Sequence, residues 1–124
     1  MNQLARMAER ALALQRRTKE NPLAYFRPTI PQRAFLWDNS PIRLLLGGNQ
    51  TGKTSAACAL LLYHSLNCHP DPRYQADPPP TENWLITYSH DQSRTVQEKL
   101  WELIPKSQLD PSVEFIRGRG FRGV

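Results

Sequence analysis

The chain has 124 residues, room for one domain and not for two, and its 40% apolar and 9% aromatic content suffices for a single core. A net charge of +5 favours polyanionic partners without choosing among them, and the basic residues lack the interleaved aromatics of a dedicated nucleic-acid platform. The longest apolar run, Ala56 to Tyr63, falls far short of the roughly 18 residues that cross a bilayer, and Arg6, Arg10, Arg16 and Arg17 break up any signal-like stretch, so the expected compartment is a cytoplasm.

In chain order, Asn2 to about Thr18 predicts an amphipathic helix with Leu4, Met7, Ala8, Ala11 and Leu14 on one stripe, either packed on the core or presenting its arginines to DNA or a partner. Asn21 to Pro31 is broken by three prolines, and a short helical turn follows at Ala34 to Trp37, ended by Asp38, Asn39, Ser40 and Pro41. Ile42 to Leu46 reads as a strand buried on both faces and stopped by Gly47 and Gly48. Lys53 to Leu66, apolar nearly all round, predicts a helix covered on both sides.

Asn67 to Thr81 holds Pro70, Pro72, Pro78, Pro79 and Pro80 and must be a surface connector. Trp84 to Tyr88 reads as a second strand, and Ser89 with Gln92 has capping-box spacing for a helix that shows Val96, Leu100, Leu103 and Ile104 on one face and stops before Pro105. Val113 to Ile116 begins a third strand, and Arg117 to Gly123 reads as a turn leading onward in preference to an RNA-binding Arg-Gly segment. This alternation of strand and helix predicts an α/β architecture with a mainly parallel sheet and helices on both faces. The amphipathic helix, residues 1–20, precedes a domain over residues 21–124.

Cys58 lies in an apolar helical stretch and predicts a buried free thiol. His64, Cys68 and His69 form a possible zinc cluster, but no second pair lies at zinc-site spacing, and polar decoration of a helix C-terminus is the preferred reading.

The chemistry concentrates in Gly47-Gly48-Asn49-Gln50-Thr51-Gly52-Lys53-Thr54, which fits the Walker A pattern between a predicted strand and a predicted helix. Glycines let a backbone curl until several N–H groups face phosphate oxygens, and a helix N-terminus adds partial positive charge. ATP is the expected guest, with Lys53 between its β- and γ-phosphates and the Thr54 hydroxyl in the shell of Mg2+. Gln32, shortly before the strand, offers an amide to adenine, with Phe26 or Arg27 as a cover for the base, or else caps a helix behind Pro31. Hydrolysis also needs a strand ending in a carboxylate pair. None is visible, and Asp91 reads as a first-turn helix residue.

The combination Phe26-x-Pro28-x-x-x-Gln32 followed by GGNQTGKT resembles the amino-terminal ATPase domain of the large terminase subunit of tailed phages. His69-Pro70, Pro78 to Pro80, Trp84 to Tyr88 and Ser89 to Arg94 follow in the order seen in that family, so the resemblance covers residues 22–104. It implies a three-layer P-loop NTPase core and a motor that couples ATP hydrolysis to translocation of double-stranded DNA into a capsid in the bacterial host cytoplasm. By the same resemblance the partners are the portal, the small terminase subunit and further copies in a ring, and Gln32, Gly47 to Gly52, Lys53 and Thr54 are the nucleotide site.

Large terminases continue through a Walker B acid pair, a coupling segment and a nuclease domain, none of which is found here. The expectation is therefore a truncated, C-terminally incomplete core with a very low hydrolysis rate of its own. The source of an arginine finger stays open among Arg43, Arg94 and Arg117. The alternatives are a helicase-like P-loop ATPase fragment and a non-catalytic module that binds nucleotide or DNA.

Overall fold

The computed structural model of the chain describes residues 2–74 and 81–122. Among the described residues four helices carry the fold: α1 (Gln3–Glu20), α2 (Ile30–Trp37), α3 (Lys53–Leu66) and α4 (His90–Leu103), with short 3-10 turns at Pro22–Tyr25 and Lys106–Gln108. A single antiparallel hairpin, β1 (Glu114–Ile116) and β2 (Gly120–Arg122), is the only sheet among the described residues.

This overturns the expected α/β core with a mainly parallel sheet. Neither Ile42 to Leu46 nor Trp84 to Tyr88 forms the predicted strand: both are irregular, with bends at Ile42 and Tyr88, and neither joins a ladder. Strand assignment needs a hydrogen-bonded neighbour, and no described segment lies alongside either one in register. The burial expected of Ile42 to Leu46 fails for the same reason: Ile42, Leu44 and Leu46 are 89%, 80% and 80% exposed. Apolar composition announces what a segment needs, not whether the chain supplies it. The third predicted strand exists but turns back on itself instead of extending a parallel sheet.

The hairpin has local causes. Arg119 N–H donates to the Ile116 carbonyl at 2.9 Å, and Gly118 and Gly120 adopt φ of 78° and 90°, conformations that glycine tolerates in a three-residue hairpin loop. Gly120 has a second constraint: a Cβ there would stand 2.2 Å from Gln97 Oε1, the atom that accepts the Phe121 N–H at 2.8 Å. Trp101 stacks on Phe115 at 4.8 Å between centroids and meets Phe121 edge-on, which fixes the hairpin to α4.

The core lies between α2, α3 and α4. Leu36, Cys58, Ala59, Leu62, Tyr63 and Leu103 are buried together, and Leu23 from the first 3-10 turn closes one end. Helix α3 lies in the middle, as its broad apolar surface requires. Asn2 caps α1 through Oδ1 and the Ala5 N–H at 2.8 Å, and Ser89 caps α4 through Oγ and the Gln92 N–H at 3.2 Å. Despite its apolar stripe, α1 buries no residue, so the reading that packs it on the core does not hold. No helix among the described residues is long and apolar enough to cross a membrane.

The stretch from Cys68 to Tyr74 is pinned by aromatic contacts. His69 stacks on Tyr74 at 4.0 Å and meets Trp37 and Tyr63 edge-on. Its Nδ1 accepts the Asp71 N–H at 3.0 Å, which leaves Nε2 to donate to the Leu36 carbonyl at 2.9 Å. With both ring nitrogens engaged by backbone, His69 offers no lone pair to a metal, and among the described residues no three His, Cys, Asp or Glu converge. Pro78, Pro79 and Pro80, expected in the same connector, lie outside the described residues.

Cys58 is fully buried, and desolvation pushes its thiol up to about 11 from an ordinary 9.0. Burial shifts Tyr63 and Cys68 in the same direction. Groups held protonated by the fold lend stability that is complete below their unfolded pKa and disappears as pH climbs through the folded value. Urea midpoints should therefore hold steady up to about pH 9 and fall between about 9 and 11, with Cys58→Ala reducing the slope. A midpoint that rises over that window would contradict the assignment.

Candidate functional site

Residues Gly47 to Gly52 form an exposed loop between the irregular segment 42–46 and α3. Its curl rests on two left-handed residues, Gln50 at φ 60° and Gly52 at φ 81°, and on the Thr51 hydroxyl donating to the Gly48 carbonyl at 2.8 Å. The first helical hydrogen bond of α3 runs from Ala56 N–H to the Gly52 carbonyl at 3.0 Å. Among the described residues the backbone N–H groups of Gly47 to Gln50 and of Gly52 to Ser55 have no protein acceptor, while the turn at Asn49–Gln50 brings the Thr51 N–H towards the Gly48 carbonyl. Loop and helix start together present several such donors at the positive end of a helix dipole.

The Lys53 ammonium folds back across the loop onto the Gly47 carbonyl. The Thr54 hydroxyl makes no hydrogen bond among the described residues. Both side chains line a cavity of about 510 Å³ whose other walls are Leu85 to Tyr88, Gln92 and Thr95, with Ala57, Cys58 and Val96 below. Those wall residues were not marked as functional by sequence, although the Ser89–Gln92 capping spacing had singled out Gln92. None of the residues lining the cavity is acidic.

Gln32 is buried and held at both ends of its amide. Oε1 accepts the Thr29 N–H at 2.8 Å, within a capping box that opens α2, and Nε2 donates to the Gly52 carbonyl at 2.8 Å. Of the two roles open to Gln32, the structure displays the capping one and adds a bridge to the loop, twenty residues along the chain. Glycine is favoured at Gly52 on two counts: its positive φ, and a Cβ that would lie 2.2 Å from Gln32 Nε2 and displace that amide. The loop is thus tied to α2 at its last residue. Gln32→Ala removes the clamp, and affinity for an adenine nucleotide should fall about three- to tenfold, the worth of roughly one hydrogen bond. Equal affinities in titration calorimetry would show that the clamp is irrelevant to binding.

Asp91 lies in the first turn of α4 and pairs with Arg94, which also reaches the Gly118 carbonyl at 3.4 Å. Arg43 is tied to the Ser40 carbonyl at 3.1 Å and the Phe35 carbonyl at 3.4 Å, with Tyr74 as its third partner. Both arginines therefore have structural work within the chain. Phe26 and Arg27 line a different cavity, together with Arg33, Trp37, Asp71 and Arg73.

No protein-family model, curated protein or solved structure matches the chain.

A triphosphate needs many N–H donors, a compact cation and no nearby carboxylate, and all three conditions hold. A magnesium ion needs oxygen ligands. The protein offers one hydroxyl, from Thr54, so the remaining ligands must come from phosphate and water.

Proposed function

We propose that the chain binds ATP with Mg2+ at Gly47 to Thr54 and serves as the nucleotide-binding part of a viral DNA-packaging motor of the large-terminase kind. The observation that carries the nucleotide site is the set of backbone N–H groups between Gly47 and Ser55 that have no acceptor among the described residues, closed on one side by the Lys53 ammonium. In this reading Gly47, Gly48, Asn49, Gln50, Thr51 and Gly52 cradle the phosphates, Lys53 neutralises them, Thr54 supplies a magnesium ligand and Gln32 holds the loop in shape. The packaging role rests on the GGNQTGKT sequence with its upstream Phe26 to Gln32 motif. That role sets the partners as double-stranded DNA, portal, small subunit and further copies in a ring, and the compartment as the host cytoplasm.

ATP supplies a phosphoanhydride bond whose cleavage drives translocation in such motors. The residues described here bind and orient it. Polarising an attacking water needs a carboxylate, and the cavity beside Lys53 and Thr54 has none. That observation favours a second reading for the chain by itself, a nucleotide-binding module without turnover. One purified sample tests both. Calorimetry with a nonhydrolysable ATP analogue and magnesium should show saturable binding, while phosphate release should stay near the buffer rate. Absence of binding defeats the first reading, and turnover of several per second defeats the second.

A further inference from the structure

A second cavity, of about 710 Å³, opens where residues 24–28, α2 and residues 70–73 meet. It shares no lining residue with the cavity that holds Lys53 and Thr54. Tyr63, which lines it, lies ten residues along α3 from Lys53, a rise of about 15 Å. Three guanidinium groups come to this place from three separate stretches of chain: Arg27 before α2, Arg33 on α2 and Arg73 after α3. Against them stands one carboxylate, that of Asp71.

The three arginines are engaged to different degrees. Arg73 donates from Nε to one oxygen of Asp71 and from Nη2 to the other, each at 3.2 Å, the two-pronged contact by which a guanidinium recognises a carboxylate. Arg33 lies over the Trp37 ring at 4.4 Å. That contact orients the plane of its guanidinium, and its N–H groups have no acceptor among the described residues. Arg27 has no acceptor among them either. Two guanidinium forks therefore stand beside a third that already holds a carboxylate.

The walls decide the class of guest. A phosphate cradle is built from backbone N–H groups, and Pro28, Pro70 and Pro72 in this lining have none. A nucleobase needs a bare aromatic face, but Trp37 is taken by Arg33 and His69, and Tyr63 is buried. What remains is a set of separated charges among apolar walls. The volume falls within the roughly 300–1,000 Å³ of sites that enclose a drug-sized ligand, more than one compact anion fills. A chain with carboxylates at intervals and apolar residues between them matches both the charges and the walls.

We infer that this cavity receives an acidic segment of a partner protein in extended form, its carboxylates forked by Arg27 and Arg33 and its apolar side chains against Phe26 and the prolines. The net charge of +5 favours the approach of such a partner. This inference does not rest on the nucleotide reading.

The probe is an end-labelled peptide of about ten residues alternating Glu with Pro, a composition that keeps it extended, with the Gln-Pro peptide of the same length as control. Fluorescence anisotropy on the full chain should show saturable binding of the Glu peptide at about 10–1,000 µM and none of the Gln peptide. Arg27→Glu with Arg33→Glu should weaken binding at least about tenfold. Both positions are exposed, so helical circular dichroism should not change. Asp71→Asn releases the Arg73 guanidinium from its carboxylate, and affinity should rise about two- to fivefold, a gain that no loss of fold imitates. Lys53→Ala should bind the peptide as the parent does. Absence of saturation overturns the inference, and so does equal binding of the Gln peptide. Loss of binding in Lys53→Ala would put the peptide in the Gly47–Thr54 loop and overturn it too. A duplex oligonucleotide that binds more tightly than the peptide, and is lost in the same Arg27 and Arg33 variant, would give the cavity to nucleic acid instead.

Discussion

Lys53→Ala should abolish measurable nucleotide binding while leaving the helical signal and the urea midpoint almost unchanged. Among the described residues the ammonium has one partner, the Gly47 carbonyl, and that carbonyl lies in an exposed loop where water replaces the lost donor. With a triphosphate in place the same ammonium faces several anionic oxygens. Charge-assisted hydrogen bonds contribute about 1.5–3 kcal/mol each, so loss of two of them weakens affinity by about 100-fold or more. Lys53→Arg serves as the control for charge alone. A guanidinium keeps the charge but is planar and bulkier than an ammonium, and recovery should be partial at best. Calorimetry with an ATP analogue and magnesium measures all three proteins, and an unchanged affinity for Lys53→Ala removes the phosphate site.

The loop and its neighbours were legible in sequence to different depths. Lys53–Leu66 and His90–Leu103 appear where periodicity and caps put them, because Gly52, Ser89 and Pro105 act locally. The α2 start was read four residues late. Pro31 looked like a breaker, whereas at the second position of a helix its missing N–H costs nothing. The parallel sheet was not obtainable from local pattern at all. Ile42 to Leu46 and Trp84 to Tyr88 have strand composition, but pairing depends on what lies beside them, and neither finds a ladder partner among the described residues.

At the site, the sequence contained the chemistry but not the arrangement. Spacing alone indicated the glycines, Lys53 and Thr54. The bridge from Gln32 to the Gly52 carbonyl joins residues far apart in the chain, and so does the approach of Thr87 and Gln92 to Lys53. Long-range contacts of this sort depend on how α2 and α4 dock on α3, and that docking is set by core packing.

Leu36 is where that docking can be tested most sharply. It is fully buried between α2 and α3, and its carbonyl accepts the His69 Nε2–H. Gln32 lies one helical turn before it on α2, so the packing of Leu36 against α3 also sets the height of the amide that clamps Gly52. Leu36→Ala should cost about 2–5 kcal/mol, the transfer of a buried side chain plus the cavity left behind. In a domain whose whole stability is about 5–15 kcal/mol this is a large fraction, and the urea midpoint should drop accordingly at unchanged slope. Ile30→Ala, in the same helix but 88% exposed, should shift stability by no more than about 0.5 kcal/mol. The variant also separates fold from site. If α2 positions the loop, Leu36→Ala loses nucleotide affinity under conditions where it is still folded, whereas Ile30→Ala keeps it. Should Leu36→Ala bind the ATP analogue as tightly as the parent while folded, the loop holds its shape without α2, and the Gln32 bridge is a consequence of the curl rather than its support.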